Sequence, residues 1–454
     1  MPVSKKLHFL FLHRAINLHG GCYLHRAMNL QGGCYLYHAI FSYSAYYLYR
    51  AMDLHGGLFC TMFYFYIAAN GNRFGKQKRE ESIMKIVDGA YTSAKIFTDT
   101  AEDYALAQIQ QLCDFEAFAG CRVRVMPDVH PGKVGTIGFT ATAGPKILPN
   151  VVGIDIGCGI TLAKLKQKKA EFQKLDTVIR ENIPSGFQIR KKAHRFSGEI
   201  PLEELKCCRH IHMEKARLSL GTLGGGNHFI EIDRDGEGFL YAAIHSGSRH
   251  LGKEVAEYYL REGQDYLKEQ GKQIPYELTY LEGSLREDYL HDMQILQDFA
   301  SLNRGIILDE LARGMKWKVQ DVFSSVHNYV DTSHGTPILR KGAVSARKGE
   351  RVALPVNMRD GILLGMGLGN EDWNYSAPHG AGRLIRRDSV KNMFTVSDFK
   401  AEMKGIYCSC IGKDTLDEAP FAYRSLDEIK EQVAETVELQ QRLRPVYNFK
   451  AGSK

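Results

Sequence analysis

The chain has 454 residues, 44% hydrophobic and 24% charged, which excludes a disordered tail or a disulfide-stapled miniprotein and leaves room for one large or two ordinary domains. Its net charge is +7, but residues 1–83 hold nine Lys/Arg against three Asp/Glu, so six of the seven surplus charges lie there and any nucleic-acid affinity must come from a local patch. Ten irregularly spaced cysteines fit a reducing cytoplasm and not a disulfide framework, and the apolar stretch 58–69 is too short to span a bilayer, so no membrane partner is expected.

The first 83 residues stand apart. HRAINLHGGCYL (13–24), HRAMNLQGGCYL (25–36) and YRAMDLHGGLFC (49–60) repeat with a period of twelve, with a degraded copy at 37–48. Each copy carries a Gly-Gly that opposes a helix, and none alternates in a way that buries a face. A His/Cys tract of this kind can bind metal. The plainer reading is a translated tandem repeat ahead of the true start, disordered or poorly packed. Met84 opens ordinary strand-and-turn patterning, so residues 84–454 are expected to form one catalytic unit.

From there the pattern predicts a helix over 101–119 with Tyr104, Ile109, Leu112 and Phe115 inward, then a strand in CRVRVMPD (121–128). Strands are expected in TIGFTAT, VVGIDI, ITLAKL, HFIEI and FLYAAIHS. Helices are expected over 253–269, 286–318 and 425–439, the last capped by Ser425 and Glu428. Strands and helices mix without a regular βαβ period, which favours an α+β fold whose functional residues sit in loops after strands.

Several segments share one arrangement, in which a strand leads into glycine-rich backbone and then a His, Asp or Cys. MPDVHPGKVGTIGF holds Asp128 and His130; GIDIGCGI holds Asp155 and Cys158; GTLGGGNHFIEI holds Asn227, His228 and Glu231. IHSGSRHLG holds His245, Ser246 and Arg249, and SSVHNYVD holds His327 and Asn328. Glycine lets the backbone approach an ion or phosphate and supplies N–H donors. An Asp, a Cys and three His from separate loops make a set of four or five metal ligands. Thiolate with imidazole favours zinc by softness, and a carboxylate with open positions admits manganese. No P-loop is present. In SAPHGAGR (376–383) His379 lies in a glycine-rich turn with Arg383 four residues on. A neutral imidazole there can attack phosphorus, while turn N–H groups and a guanidinium hold the phosphate oxygens.

PDVHPG, GIDIGCG, GTLGGGNHFIEI, HSGSR, VHN, RKGA, HGAGR and TLDEAPFAYRS follow one another in the order of the RtcB family of RNA ligases, which the chain resembles from about Met84 to its C-terminus. The resemblance implies a single α+β domain of stacked sheets flanked by helices, with the site in strand-end loops. It implies a GTP- and Mn2+-dependent ligase that joins an RNA 3′-phosphate or 2′,3′-cyclic phosphate end to a 5′-hydroxyl end. By motif, Asp155, Cys158, His228, His245 and His327 are the implied metal ligands, with Cys158 bridging two ions, and His379 is the residue that becomes guanylylated. Asn227, His228, Phe229, Ile230, Glu231, His327, Asn328, the run His379, Gly380, Ala381, Gly382, and Lys450 are the implied guanine-nucleotide contacts. Arg249, Lys341 and Arg383 are the implied anion-binding positions, and Asp128 is an acid near the metals. RNA is expected on a basic surface of Arg340, Lys341, Arg347, Lys348 and Arg351. Where longer members have a Pro-Gly-Ser-Met-Gly turn, this chain has PVNMRDG (355–361). Nucleotide contacts at 355–361 are therefore not carried over from the family. The short matching body, with GNEDWNYSAPHGAGR ahead of the nucleophile, suggests a compact branch devoted to RNA repair rather than tRNA splicing, with or without an archease-type activator. A metal-dependent phosphoesterase that opens cyclic phosphate ends without ligation is the alternative, and a non-catalytic nucleic-acid-binding module is a third. Retention of His379 and Arg383 favours ligation.

Overall fold

The computed structural model describes residues 84–451 and, before them, the backbone of three strands. Those strands, β1 (Ile16–Leu18), β2 (Gly21–Leu30) and β3 (Gly33–Phe41), pair antiparallel within the repeats. The other residues of 1–83, on which the expectation of disorder also falls, lie outside the described ones.

From Met84 onward sixteen strands are described: β4 (Lys85–Asp88), β5 (Ser93–Ile96), β6 (Val123–Pro131), β7 (Thr136–Thr142), β8 (Gly159–Leu165), β9 (Phe229–Arg234), β10 (Leu240–Ser246), β11 (Val319–Val326), β12 (Asn328–Asp331), β13 (Ile338–Lys341), β14 (Ala343–Ser345), β15 (Arg351–Asn357), β16 (Gly361–Gly367), β17 (Ser376–Pro378), β18 (Tyr407–Cys408) and β19 (Val437–Lys450). One sheet runs β11-β8-β10-β9-β19-β16-β15, with β18 beside β19; a second runs β12-β13-β7-β6-β5-β4; β14 and β17 pair separately. Mixed sheets with flanking helices give the expected α+β class.

Period-2 alternation decides what each face of the larger sheet meets. Ile230, Ile232, Ala242 and Ile244 pack with Ile307, Leu308 and Leu311 of the long helix Gly283–Met315 and with Leu175 and Ile179 of the helix Phe172–Asn182. On the opposite face Ile160, Leu162, Phe229 and Ala243 meet Ala353, Ile362 and Leu443 from β15, β16 and β19. The sheet therefore curls so that its far strands cover its own inner face.

Three expected elements differ. Residues 151–156 are not a strand: Pro149–Val152 is a short helical turn, which Pro149 favours at its first position, and the chain then runs irregularly through Cys158. Ile154 is consequently exposed while Ile156 is buried. The helix predicted from 101 ends at Cys113, and Tyr104 is exposed. Five residues at ~100° each put it about 140° round the helix from Ile109. The last helix keeps its Ser425 cap, with the hydroxyl accepting from Glu428 N at 3.3 Å, but stops at Gln432. Val437 onward pairs with β16 and β9, and that pairing overrides the helical pattern. Among the described residues no helix is long and apolar enough to cross a membrane.

Candidate active site

Strand register gathers the ligand loops at one end of the larger sheet. Gly159 opens β8 opposite Ser246 at the end of β10 and opposite Val326 at the end of β11; Phe229 opens β9 opposite His245 and Lys450. Antiparallel pairing thus brings strand starts and strand ends, with their loops, to a common edge. Gly157, with φ +73° and a Cβ position only 3.0 Å from Gln297 Cα, turns the chain so that Asp155 and Cys158 reach the same point.

There the side chains form two triads that share one thiol. Cys158, His245 and His327 offer ligand atoms within 4.8 Å of one another, as do Asp155, Cys158 and His228. Cys158 Sγ lies 3.3 Å from His245 Nε2 and 3.4 Å from His228 Nε2; His228 Nε2 lies 3.0 Å from Asp155 Oδ2, and His245 Nε2 lies 3.4 Å from His327 Nε2. His245 Nδ1 donates to Asn227 O (3.2 Å), while His228 Nδ1 lies 3.0 Å from Leu223 O and 2.9 Å from Arg249 Nη1. The His245 tautomer leaves its Nε2 lone pair facing the shared thiol.

The electrostatics suit cations. Burial pushes His245 and His327 well below the ordinary imidazole range, so both are neutral, as metal ligation requires. Burial opposes ionisation of Asp155, yet the His228 hydrogen bond and the charges of His228 and Arg249 hold it below the usual carboxylate range. Burial, reinforced by Asp155, pushes the Cys158 thiol well up, so a cation is what turns it into a thiolate. One carboxylate, one shared sulfur and three imidazoles are a donor set that could hold a divalent metal.

The loops are held from behind by the helix Gly283–Met315. Arg304, fully buried, donates to Gly157 O and Ser246 O (both 2.9 Å) and to Thr161 Oγ1 (3.0 Å). Asn303 accepts from Gly221 N (2.8 Å) and Thr222 N (3.1 Å) and donates to Thr222 O and Ser246 Oγ. Two adjacent helical residues therefore tie three ligand loops together.

Beside the triads lies His379, just after β17, its ring centroid 5.0 Å from that of His327. Its Nδ1 is 2.7 Å from Asp128 Oδ2, and its backbone N donates to the same oxygen at 3.2 Å. Asp128 is 2% exposed and anchored in β6. His130, neutral because burial lowers it to about 4, lies behind the same imidazole and bonds Asp128 O through Nδ1 (2.9 Å).

A cleft spreads from these histidines between Phe229, Glu231, Pro355–Met358, Gly380–Arg383 and Lys450. At its far end Glu418 is a hub for Lys450, Arg383, Arg387 and the Tyr423 hydroxyl. Burial opposes its charge, but Lys450, Arg387 and Arg383 hold its carboxyl below the usual range.

The sequence pattern of the family described as tRNA-splicing ligase RtcB matches residues 108–206 and 190–451. The chain belongs to the RtcB family. It is 32% identical over 363 residues to the RNA-splicing ligase RtcB of Escherichia coli K12 and to the RNA-splicing ligase RtcB1 of another Escherichia coli strain, each alignment covering 71% of this chain and 88% of the relative. The tRNA-splicing ligase RtcB of Nanoarchaeum equitans is 25% identical over 441 residues, covering 77% of this chain and 92% of that relative.

Measured against the RtcB resemblance, the structure brings Asp155, Cys158, His228, His245, His327, His379 and Asp128 together. It places Asn227, Phe229, Glu231, Gly380, Ala381, Gly382, Arg383 and Lys450 on the cleft wall. The divergent segment Pro355–Met358 lines the same wall.

At four expected positions the surroundings are of another kind. Ile230 alternates away from Phe229 and Glu231 into the helix-covered core, so its side chain does not face a nucleotide. Asn328 lies behind the site and joins ligand loops, donating to Asp155 O (3.2 Å) and accepting from Gly342 N (2.9 Å). Lys341 is buried, its ammonium donating to Val134 O (2.6 Å) and Asn150 O (2.8 Å), with its pKa lowered by burial to about 8. The basic run is not a continuous RNA-facing stripe: Arg340 is fully buried against Asp331, Ser376 and Tyr329, while Arg347 pairs with Asp331 and Arg351 with Asp321. His130 stood out in the sequence without a role, whereas Arg387, Glu418 and Tyr423 in the site and Asn303 and Arg304 behind it did not stand out at all.

Proposed function

We propose that this chain is an RNA ligase that uses GTP to join a 3′-phosphate or 2′,3′-cyclic phosphate end to a 5′-hydroxyl end, with His379 as the nucleophile. The observation that carries this is the His379–Asp128 pair at the junction of the cleft and the two thiol-sharing triads. A carboxylate on Nδ1–H fixes the tautomer and leaves the Nε2 lone pair free. A carboxylate-oriented imidazole also serves hydrolases as a general base; what favours ligation here is that the imidazole stands in the HGAGR turn, where a nucleotide phosphate would be held.

In this reading Nε2 attacks the α-phosphorus of GTP; the P–N bond forms, the α–β P–O bond breaks, and pyrophosphate leaves. Asp128 stabilises the positive charge that develops on the ring. An oxygen of the RNA 3′-phosphate then attacks the same phosphorus, breaking the P–N bond and returning the electron pair to His379. The 5′-hydroxyl oxygen next attacks the RNA phosphorus, its proton is lost, and GMP departs as the phosphodiester forms. Two divalent ions, Mn2+ in this reading, would be held by Asp155, Cys158, His228, His245 and His327 and would neutralise phosphoryl charge. Glu231 and Lys450 would receive the guanine, and Arg383 and the Gly380–Gly382 turn the phosphates.

The test is incubation with GTP labelled at the α-phosphate and with Mn2+. An acid-labile protein–GMP adduct, absent in His379→Ala, is the expected result. Opening of a cyclic phosphate end with no adduct would replace this reading with the phosphoesterase.

A further inference from the structure

A second cavity is walled by Gly225 and Gly226, just ahead of Asn227 and His228, and by Arg249. It is lined by Phe187, Ile189, Lys215, Gly226, Arg249 and His250, among others. Phe187 is 89% exposed, and Ile189 beside it is 37% exposed. A lone exposed apolar side chain is ordinary on a protein surface. Phe187 differs because its backbone is pinned. Gly186 N donates to Gly224 O (2.9 Å), Leu223 N to Pro184 O (2.9 Å), and Ser185 bridges Gly224. The phenyl ring is therefore a free side chain on a fixed support, tied to the loop that carries Asn227 and His228.

The inner wall of this cavity is cationic. The Arg249 guanidinium lies over Gly224, where a side chain would meet Nη2 at 1.5 Å, and Nη1 is 2.9 Å from His228 Nδ1. Its Nε is buried with no partner, and its backbone sits at φ +58°, a conformation uncommon for a non-glycine residue. Lys215 adds a second charge at the cavity wall. An anion-binding head next to the metal ligands, with an unoccupied aromatic face above it, has the chemistry of a nucleotide joined through its phosphate.

We propose that this cavity receives the terminal nucleotide of the 3′-phosphate strand, with the phosphate toward Arg249 and the base stacked on Phe187. The proposal rests on the ligase reading and names the strand end that reading leaves unplaced. Stacking tolerates any base, so the platform confers end binding without sequence preference.

The experiment is steady-state ligation with the concentration of each strand varied in turn. Phe187→Ala raises KM for the 3′-phosphate strand by about ten-fold or more and leaves KM for the 5′-hydroxyl strand alone; Phe187→Trp restores the wild-type value to within about two-fold. With an abasic 3′-terminal nucleotide the wild-type KM rises by a similar factor, and the alanine substitution then adds nothing. An unchanged KM in Phe187→Ala, a change confined to the 5′-hydroxyl strand, or normal use of the abasic end would overturn the proposal. Failure of the wild type to form protein–GMP without RNA would instead overturn the ligase reading beneath it.

Discussion

Asp128 Oδ2 stands 2.7 Å from His379 Nδ1 and also accepts the His379 backbone N–H, although 251 residues separate the two. The carboxylate is almost fully buried, so it can hold only one ring orientation and one tautomer. Asp128→Asn removes the charge and can present its amide to Nδ1, which favours the wrong tautomer. Guanylylation by Asp128→Asn is expected to fall by about 10³–10⁴-fold. Rates of adduct formation at saturating GTP check this, and a loss below ten-fold would remove Asp128 from the mechanism.

Cys158 belongs to both triads, whereas His228 and His327 each belong to one. The three residues should therefore fail differently. Cys158→Ala is expected to lose both Mn2+ ions and all guanylylation, while His228→Ala and His327→Ala each lose one ion. Counting bound Mn2+ by electron paramagnetic resonance titration decides it. Two ions retained in Cys158→Ala would show that the sulfur does not bridge.

What could be read from the sequence follows from where the chemical signal is local. His, Cys and Asp among glycines after a strand are conspicuous, so the triads and His379 were visible before the fold. Facing was not. Ile230 sits between two cleft residues, and only strand alternation sends it into the core. Arg340 and Lys341 read as surface charge, yet β13 lies between β12 and β7, and their charges meet Asp331 and backbone carbonyls inside the protein. Glu418 draws Lys450, Arg383 and Arg387 from separate segments, so no single stretch reveals the hub. Residues 151–156 looked like a strand because Val and Ile dominate them, while the proline before them set a helical turn.

Glu231 gives the cleft a pH dependence. Burial pushes its carboxyl up to about 7, while the Lys450 charge pulls the other way; neighbouring Asp233, fully buried, is also pushed well up by burial and by the Glu231 charge. A raised pKa means that Glu231 gains its proton as pH falls through about 7, and a protonated carboxyl is a poorer acceptor for guanine N–H groups. GTP affinity is expected to weaken by up to about ten-fold between pH 8 and pH 6. Binding measured in His379→Ala, which cannot form the adduct, isolates this step. Glu231→Gln should flatten the profile and weaken the preference for GTP over ATP. A flat wild-type profile would exclude Glu231 as a guanine acceptor that titrates.

Asn303 offers the sharpest test of how the fold holds the site. It is fully buried in the middle of the helix Gly283–Met315 and touches neither the triads nor the cleft wall, yet it joins the GTLGGGN and HSGSR loops. Asn303→Ala leaves two backbone N–H donors and the Thr222 carbonyl without that partner inside the protein, at an expected cost of about 3 kcal/mol in stability. Because those loops carry His228 and His245, Mn2+ affinity should also fall by about 10–100-fold. Asn303→Asp keeps the acceptor for Gly221 and Thr222 but loses the donors, so it should lie between the two. Urea unfolding and Mn2+ titration measure the two effects separately. Wild-type behaviour of Asn303→Ala in both would mean that the loops hold their geometry without the helix.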